Sequence, residues 1–199
     1  MRKIVVYIYE GMATFEIALL AQLLGSDPGI ELIITADELR LIKDKSGMLI
    51  MPHTDLKSVH SEDIDGIIIP GGWLADLDEH LISIIRDLKE EQKLIAAVCA
   101  GSSIMARSGV LKGIRYTTSI VEWQDKHRDF FKIEDPFPRE SYVECRAIRD
   151  GNIITAKGSA FIDFTMEVCD YFDLFEDEDD KKAFEQDLKG GSHFSNDGV

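Results

Sequence analysis

The chain has 199 residues, of which 45% are hydrophobic and 30% are charged. This composition predicts one folded domain and excludes wholesale disorder. Thirty-seven acidic residues against 22 Lys and Arg give a formal net charge of -15, which disfavours nucleic acid and anionic membranes as partners because both need a basic surface. No apolar run approaches the roughly 20 residues that span a bilayer, and the N-terminal MRKIVVYIYEG predicts a first strand rather than a signal peptide.

The three cysteines, Cys99, Cys145 and Cys169, are odd in number and widely spaced, and no two of them form a CxxC pair. This pattern disfavours a disulfide framework or a zinc site and favours a reducing, cytoplasmic environment. The spacing of the five histidines matches no metal-binding motif. We therefore expect neither a metal nor another cofactor.

Strands and helices alternate along the chain. The first part is predicted to form a strand at residues 3–9, a helix at 14–24, a strand at 31–36, two short strands within 40–51, and a strand at 66–69. The second part is predicted to form a helix at 79–92, a strand at 94–98, a helix at 102–107, a strand at 115–118, a helix at 122–131, a hairpin of 142–149 with 153–156, and a helix at 160–172. Several of these strands are continuous apolar runs, as expected of strands buried on both faces. The pattern predicts an α/β three-layer sandwich with a mostly parallel, flavodoxin-like sheet.

The domain is predicted to cover residues 1–175, and residues 176–199 are predicted to form an acidic C-terminal tail. Residues 173–187 contain eight acidic residues and two lysines, which favours a solvated segment over a specific docking site. Ala183, Phe184 and Leu188 have the spacing of a short, weakly amphipathic helix. The ending GGSHFSNDGV has the composition of a linker and is expected to be flexible.

The strand at residues 94–98 runs directly into Cys99-Ala100-Gly101 and then into a helix. Small residues around a cysteine permit a sharp strand-to-helix turn, so the pattern predicts the thiol version of a nucleophile elbow. Such a turn exposes Cys99 at the carboxyl end of the sheet, where a helix N-terminus is expected to lower the pKa of the thiol. Cys145 and Cys169 fit ordinary packing roles.

Pro70-Gly71-Gly72 ends another buried strand, and the carboxyl ends of parallel strands meet at one edge of the sheet. The backbone amides of Gly72 and Ala100 are therefore candidates for an oxyanion-type pair beside Cys99. Four further features are candidate walls of the same pocket, although plain packing is favoured for each: Trp73, Trp123, Tyr142 and the loop at 135–138.

The motifs EGMATFE, IIIPGG, LIAAVCAGSSIMARSGVLKG, YTTS and DGNIITAKGSAFIDF are specific when taken together. On these motifs, over roughly residues 3–172, the chain resembles the DJ-1/PfpI (ThiJ/PfpI) superfamily within the class I glutamine amidotransferase-like fold. In that family the acidic residue of the first motif is typically protonated and hydrogen-bonded to the elbow thiolate. The resemblance thus implies that Glu16 pairs with Cys99, that Gly72 and Ala100 form the backbone pocket, and that the protein is a homodimer.

Two positions depart from the family pattern. PfpI-like peptidases have a histidine directly after the nucleophile, where this chain has Ala100, and many DJ-1-like members have a histidine where this chain has Ser119. Ser119 can donate a hydrogen bond but is no base near neutral pH, so the motifs contain no full Cys-His-acid triad. Peptidase activity is disfavoured, and so is glutamine amidotransfer, because Lys157-Gly158-Ser159 replaces the expected His-x-Glu pair. His127 is a candidate substitute base, although a solvated surface position is favoured for it.

Three functions stay open on the sequence alone. The first is a small-molecule hydrolase or lyase, hydratase-like or glyoxalase-like, or a related stress-response activity, in which Cys99 reacts covalently with a small electrophile or metabolite. The second is a redox-sensing or protein-protecting, chaperone-like module whose cysteine oxidises easily. The third is a ligand-binding regulatory domain without turnover.

Overall fold

A computed structural model describes residues 1–190 of the chain. The first elements are β1 (Arg2–Tyr7), α1 (Phe15–Ser26), β2 (Ile30–Ala36), β3 (Ile42–Lys43), β4 (Leu49–Ile50), β5 (Thr54–Asp55), β6 (Gly66–Ile69) and α2 (Glu79–Glu90). They are followed by β7 (Leu94–Val98), α3 (Ser102–Ser108), α4 (Asp125–Phe131), β8 (Ala147–Asp150), β9 (Ile153–Ala156), α5 (Phe161–Tyr171) and α6 (Glu178–Leu188).

Seven strands form one sheet in the order β5-β2-β1-β6-β7-β9-β8. All neighbouring strands are parallel except β8 and β9, which form an antiparallel hairpin. Strands β3 and β4 pair separately as a small antiparallel hairpin. Helix α1 packs with α5, and α2 packs with α3. The α/β fold with a mostly parallel sheet predicted from the sequence is confirmed.

The core is built on the central strands. Strands β6 and β7 are buried along their whole length, as are residues 4–7 of β1. Their side chains are almost all aliphatic, and each fully buried Ile or Val stabilises the fold by about 1.5–3 kcal/mol relative to exposure. This rigid centre fixes the loops that follow β1, β6 and β7 at one edge of the sheet.

The strand predicted at residues 115–118 does not form; only an isolated bridge joins Tyr116 to Tyr142. Side-chain hydroxyl groups take part in the hydrogen bonds of Thr117 in place of a regular strand pairing. The Thr117 amide donates to Oγ1 of Thr155, and the Thr117 hydroxyl donates to the carbonyl of Cys145. The strand predicted at 142–149 is shorter, since β8 begins only at Ala147. The helix predicted at 122–131 begins at Asp125.

The acidic segment after residue 175 contains a packed helix. The Asp177 side chain caps α6 by accepting hydrogen bonds from two backbone amides of its first turn. Lys181 pairs with Asp170 at 3.0 Å and Lys189 pairs with Asp163 at 2.9 Å, which ties α6 to α5. The flexible ending predicted from GGSHFSNDGV lies, beyond its first glycine, outside the described residues. Within residues 1–190, no helix has the length and apolar character needed to cross a membrane.

Candidate functional site

Cys99 lies at the apex of the turn between β7 and α3. Its φ angle is 58°, in the left-handed region that side-chain-bearing residues rarely adopt. One turn of 3-10 helix, Cys99–Gly101, leads into α3. A Cβ atom on Gly101 would lie 2.9 Å from the carbonyl oxygen of Ile69, so the turn requires glycine there. The elbow predicted from the small residues is therefore present in the backbone.

Glu16 comes from the first turn of α1 and lies beside Cys99, with only 4% of its surface exposed. Its Oε2 accepts a hydrogen bond of 2.9 Å from the amide of Gly71, and its carboxyl group is also hydrogen-bonded to the thiol. A Cβ atom on Gly71 would lie 2.7 Å from Cβ of Cys99, and one on Gly158 would lie 2.9 Å from Sγ. The thiol–carboxyl pair is thus confined between two glycines.

Burial raises the pKa of the Glu16 carboxyl, although its hydrogen bonds to the thiol and to the Gly71 amide act in the opposite direction. Burial also raises the pKa of the Cys99 thiol, and the neighbouring carboxyl raises it further. The lowered pKa predicted for Cys99 from its helix N-terminus is therefore wrong, because desolvation outweighs the donors around the sulfur. Since two negative charges in contact oppose one another, the pair titrates as one unit and retains a proton over the neutral range.

Two hydrogen-bond donors lower the pKa of the Cys99 thiol. The Ser119 hydroxyl and the Ala100 amide hydrogen-bond to the Cys99 side chain and favour its thiolate form. The Gly158 amide in turn donates to Oγ of Ser119 at 3.0 Å, which orients the hydroxyl toward the thiol. Ser119 therefore occupies the place of a histidine base but supplies a hydrogen-bond donor instead.

The pair lies in a pocket of about 900 Å³. Six of the residues singled out from the sequence line it: Glu16, Gly72, Trp73, Cys99, Ala100 and Ser119. Sequence reasoning did not place the seven other lining residues there: Gly11, Ala13, Phe15, Lys45, Phe130, Gly158 and Ser159. Of these, Gly158 carried a usable signal, because it follows a buried strand that is the neighbour of the cysteine strand.

His127 is not the surface residue favoured by the sequence. It is buried, its Nδ1 accepts a hydrogen bond of 2.9 Å from the Gln124 amide, and its ring lies 5.2 Å from the rings of both Trp73 and Trp123. No histidine of residues 1–190 lines the Cys99 pocket. Glu16 is the only carboxyl group among the described residues that line the pocket.

The remaining candidates have packing roles. Trp123 stacks on Phe131, and neither Trp123, Tyr142 nor the 135–138 loop lines the pocket. Cys169 is buried in α5, and burial raises the pKa of its thiol to about 12. Cys145 is half-buried in a bend before β8. In the described residues, no group of three or more His, Cys, Asp or Glu side chains is arranged to hold a metal ion.

The structure thus belongs to the class of α/β proteins with a mostly parallel sheet, a cysteine at a strand-to-helix elbow and a buried carboxyl group beside it. The model of the DJ-1/PfpI family matches residues 2–170, and the chain belongs to that family. It is 25% identical over 183 residues to a Bacillus subtilis protein named uncharacterized protease YoaZ, covering 87% of this chain and 85% of that one. It is 28% identical over 150 residues to the isonitrile hydratase of Pseudomonas putida, covering 73% of this chain and 61% of the other.

The crystal structure of the DJ-1 superfamily protein Atu0886 from Agrobacterium tumefaciens superposes on this fold with a TM-score of 0.78. The two chains are 26% identical, and the match covers 96% of this chain and 99% of that one.

Proposed function

We propose that this DJ-1/PfpI family protein is a small-molecule enzyme of the hydratase or lyase type. Cys99 is its nucleophile and Glu16 its proton carrier, and the substrate is a small electrophile. The observation that carries the proposal is the hydrogen-bonded thiol–carboxyl pair at the base of the pocket. Addition of water needs one nucleophile and one proton carrier, and it does not need the histidine that the described part of the site lacks.

The chemistry balances with these groups alone. The Cys99 sulfur attacks an electrophilic carbon, and the proton of the thiol–carboxyl pair passes through Glu16 to the substrate atom that receives the electron pair. Water then attacks the same carbon and gives a proton to the Glu16 carboxylate. The carbon–sulfur bond breaks, and its electron pair returns to the Cys99 sulfur. The proton taken from water stays on the thiol–carboxyl pair, which is thereby restored. The net result is the addition of one water to the substrate; an isonitrile is released as an imidic acid, which becomes the formamide when its proton moves from oxygen to nitrogen.

Backbone amides support this reaction. Gly72 and Ala100 both line the pocket next to Cys99, and an amide aimed at developing negative charge lowers the barrier by about 2.7–4 kcal/mol when the site is preorganised. Gly72 has a φ of 145°, and a Cβ atom there would lie 2.9 Å from Cα of Met12. A side chain at this position would therefore disrupt the loop that presents the amide.

The experiment is turnover of a panel of alkyl and aryl isonitriles and 2-oxoaldehydes by the purified protein and its variants. Cys99→Ala is expected to abolish turnover, and Glu16→Gln to lower kcat by at least about 100-fold, as for loss of a general acid–base group. Cys145→Ala, which removes a half-buried thiol outside the pocket, is expected to retain full activity. Undiminished turnover by Cys99→Ala would overturn the proposal.

A second candidate function is redox sensing. It is favoured by the half-buried Cys99 sulfur, which opens into the pocket and has the Ser119 hydroxyl and Ala100 amide as donors to a new sulfur-bound oxygen. Peroxide would transfer one oxygen to the thiol, giving sulfenic acid and water. Peptide mass spectrometry in dilute hydrogen peroxide is expected to find Cys99 oxidised before Cys145 and Cys169. Oxidation of Cys145 first would exclude this function.

We further propose that the protein acts as a cytoplasmic homodimer on a small metabolite rather than on nucleic acid. The formal charge of -15 supports the exclusion of nucleic acid, because phosphate contacts need a basic face. The exposed apolar side chains on and beside the β3–β4 hairpin, such as Leu41, Met48 and Leu49, support the homodimer.

A further inference from the structure

Lys45 is the only positively charged residue among the described residues that line the Cys99 pocket. The other ionisable groups of that lining are Glu16 and Cys99 themselves. Most of the remaining wall is apolar and aromatic, with Phe15, Trp73 and Phe130 partly exposed around it. In a protein whose formal charge is -15, the pocket thus contains a local cation against an acidic background.

The backbone at Lys45 is held by the turn between β3 and β4. Its amide donates a hydrogen bond of 2.9 Å to the carbonyl of Met12, which anchors the turn to the loop after β1. The buried carboxylate of Asp44 accepts hydrogen bonds of 2.8 Å from the Ser46 amide and 2.9 Å from the Met48 amide. These bonds fix the base of the lysine side chain at the edge of the pocket.

The Lys45 ammonium group is free to bind a ligand. Among the described residues, no carboxylate lies within ion-pairing distance of its Nζ. Its positive charge nevertheless influences Glu16. Burial raises the pKa of the Glu16 carboxyl, and the charge of Lys45 lowers it. An exposed cation in the lining of the pocket, without a carboxylate partner among the described residues, is suited to neutralise a negative group on the substrate.

We propose that the substrate is an anion: a small molecule whose electrophilic carbon meets Cys99 and whose carboxylate, or a similar negative group, binds Lys45. A short apolar segment between the two groups packs against the aromatic wall. This inference rests on the proposed function, because it names the substrate class of the same pocket. Lys45 is a specificity-determining residue in this scheme, and the proton transfer stays with Glu16.

The test compares iodoacetate with iodoacetamide as alkylating agents for Cys99. The two reagents have nearly the same size and the same leaving group, but only iodoacetate is negatively charged. Second-order rates at neutral pH are measured by peptide mass spectrometry for the wild type, Lys45→Met and Lys43→Met. Lys43 lies on the same hairpin outside the pocket lining, so its variant is a control for the loss of one unit of net charge.

Lys45→Met is expected to lower the iodoacetate rate about 3- to 10-fold, the effect of one partly screened charge pair. The iodoacetamide rate is expected to change less than about twofold, and Lys43→Met is expected to leave the ratio of the two rates unchanged. An unchanged ratio in Lys45→Met would overturn the anion site. That outcome includes an equal fall of both rates, which would show that Lys45 acts on the thiol rather than on the reagent.

Failure of the proposed function gives a different result. If Cys99 were an inert thiol, iodoacetamide would react no faster with it than with Cys145 in the wild type. If Cys99 is reactive but Lys45→Met leaves the ratio of the iodoacetate and iodoacetamide rates unchanged, the anion site is refuted and the proposed function is not.

Discussion

Glu16 and Cys99 form a hydrogen-bonded pair of ionisable groups, and their coupling determines how the reactivity of Cys99 responds to pH. Burial raises the pKa of both groups; the carboxyl raises the pKa of the thiol further, whereas the hydrogen bond with the thiol lowers the pKa of Glu16. Between the two titrations the pair contains one proton, which is located on either the oxygen or the sulfur. Because both forms bind the same number of protons, the thiolate fraction is independent of pH in that window.

We therefore predict a flat rate of Cys99 alkylation by iodoacetamide between the two titrations of the wild-type pair. In Glu16→Gln the thiol titrates alone, so the rate is expected to rise about tenfold per pH unit until the pKa of the thiol is reached. Rates measured from about pH 5 to about pH 9 test this. The side-chain amide introduced by Glu16→Gln keeps an oxygen that can accept the hydrogen bond from the Gly71 amide, so the fold is expected to persist. Parallel profiles for the two proteins would show that the pair does not share a proton.

A Ser119→Ala variant tests whether the Ser119 hydroxyl acts on the thiol at the position where many family members have a histidine. Ser119→Ala removes a hydrogen bond that favours the Cys99 thiolate, so the pKa of the thiol, already raised by burial, is expected to rise further. One neutral hydrogen bond corresponds to about 0.5–1.5 kcal/mol, or about a 2- to 12-fold slower alkylation below that pKa.

The matched control is Ser159→Ala, since Ser159 also lines the pocket but its hydroxyl makes no hydrogen bond among the described residues. A Ser119→Ala protein that is alkylated as fast as the Ser159→Ala protein would contradict the role of the hydroxyl.

At the scale of elements, the site depends on loops at the carboxyl ends of β6, β7 and β9 approaching closely. Gly158→Ala introduces a Cβ atom at 2.5 Å from Oε1 of Glu16 and 2.9 Å from Sγ of Cys99, so the pair must separate. We expect a loss of about 1–3 kcal/mol in the free energy of unfolding, typical of overpacking, together with loss of turnover.

Gly25→Ala is the control within a helix. A Cβ atom there meets only Leu32 Cδ2, at an ordinary 3.8 Å, and alanine is favoured over glycine in a helix by about 0.8–1.0 kcal/mol. This variant is expected to keep full activity and to unfold at an equal or higher urea concentration. A Gly158→Ala protein with wild-type turnover would show that the close packing around the pair is not needed.

The central strands could be predicted from the sequence because burial on both faces leaves a direct signature. Strands β6, β7 and β9 coincide with the predicted runs at 66–69, 94–98 and 153–156, since each is almost wholly apolar. Because the ends of these strands were predicted correctly, the positions of the site residues that follow them were predicted correctly too. Cys99 and Gly72 could be assigned to one edge because strand ends of a parallel sheet meet there.

Features set by side chains distant in sequence could not be predicted in this way. The segment at 115–118 has the pattern of a strand, but hydroxyl hydrogen bonds to Thr155 and Cys145 replace its ladder. The burial of His127 depends on two tryptophans, at 73 and 123, that no local pattern connects to it. The approach of Lys45 to the pocket likewise depends on how its hairpin packs against the loop after β1.

For the molecule as a whole, the segment around the β3–β4 hairpin is exposed and apolar. Five large aliphatic or thioether side chains in this segment are each 51–60% exposed: Leu39, Leu41, Met48, Leu49 and Met51. An apolar set of this kind on one short segment marks an interaction surface more often than a solvated one. A second copy of the chain is the partner that the family resemblance implies.

We expect a homodimer by light scattering, and we expect Leu49→Glu to shift it toward the monomer because a charge would be buried at the contact. Val121→Glu is the control, because Val121 is 46% exposed but lies far along the chain from the hairpin. Each copy has a formal charge of -15, so the two copies repel one another and added salt is expected to strengthen the dimer by screening. A wild-type monomer at low and high salt would refute the dimer, and a Leu49→Glu protein that stays dimeric would place the contact on another face.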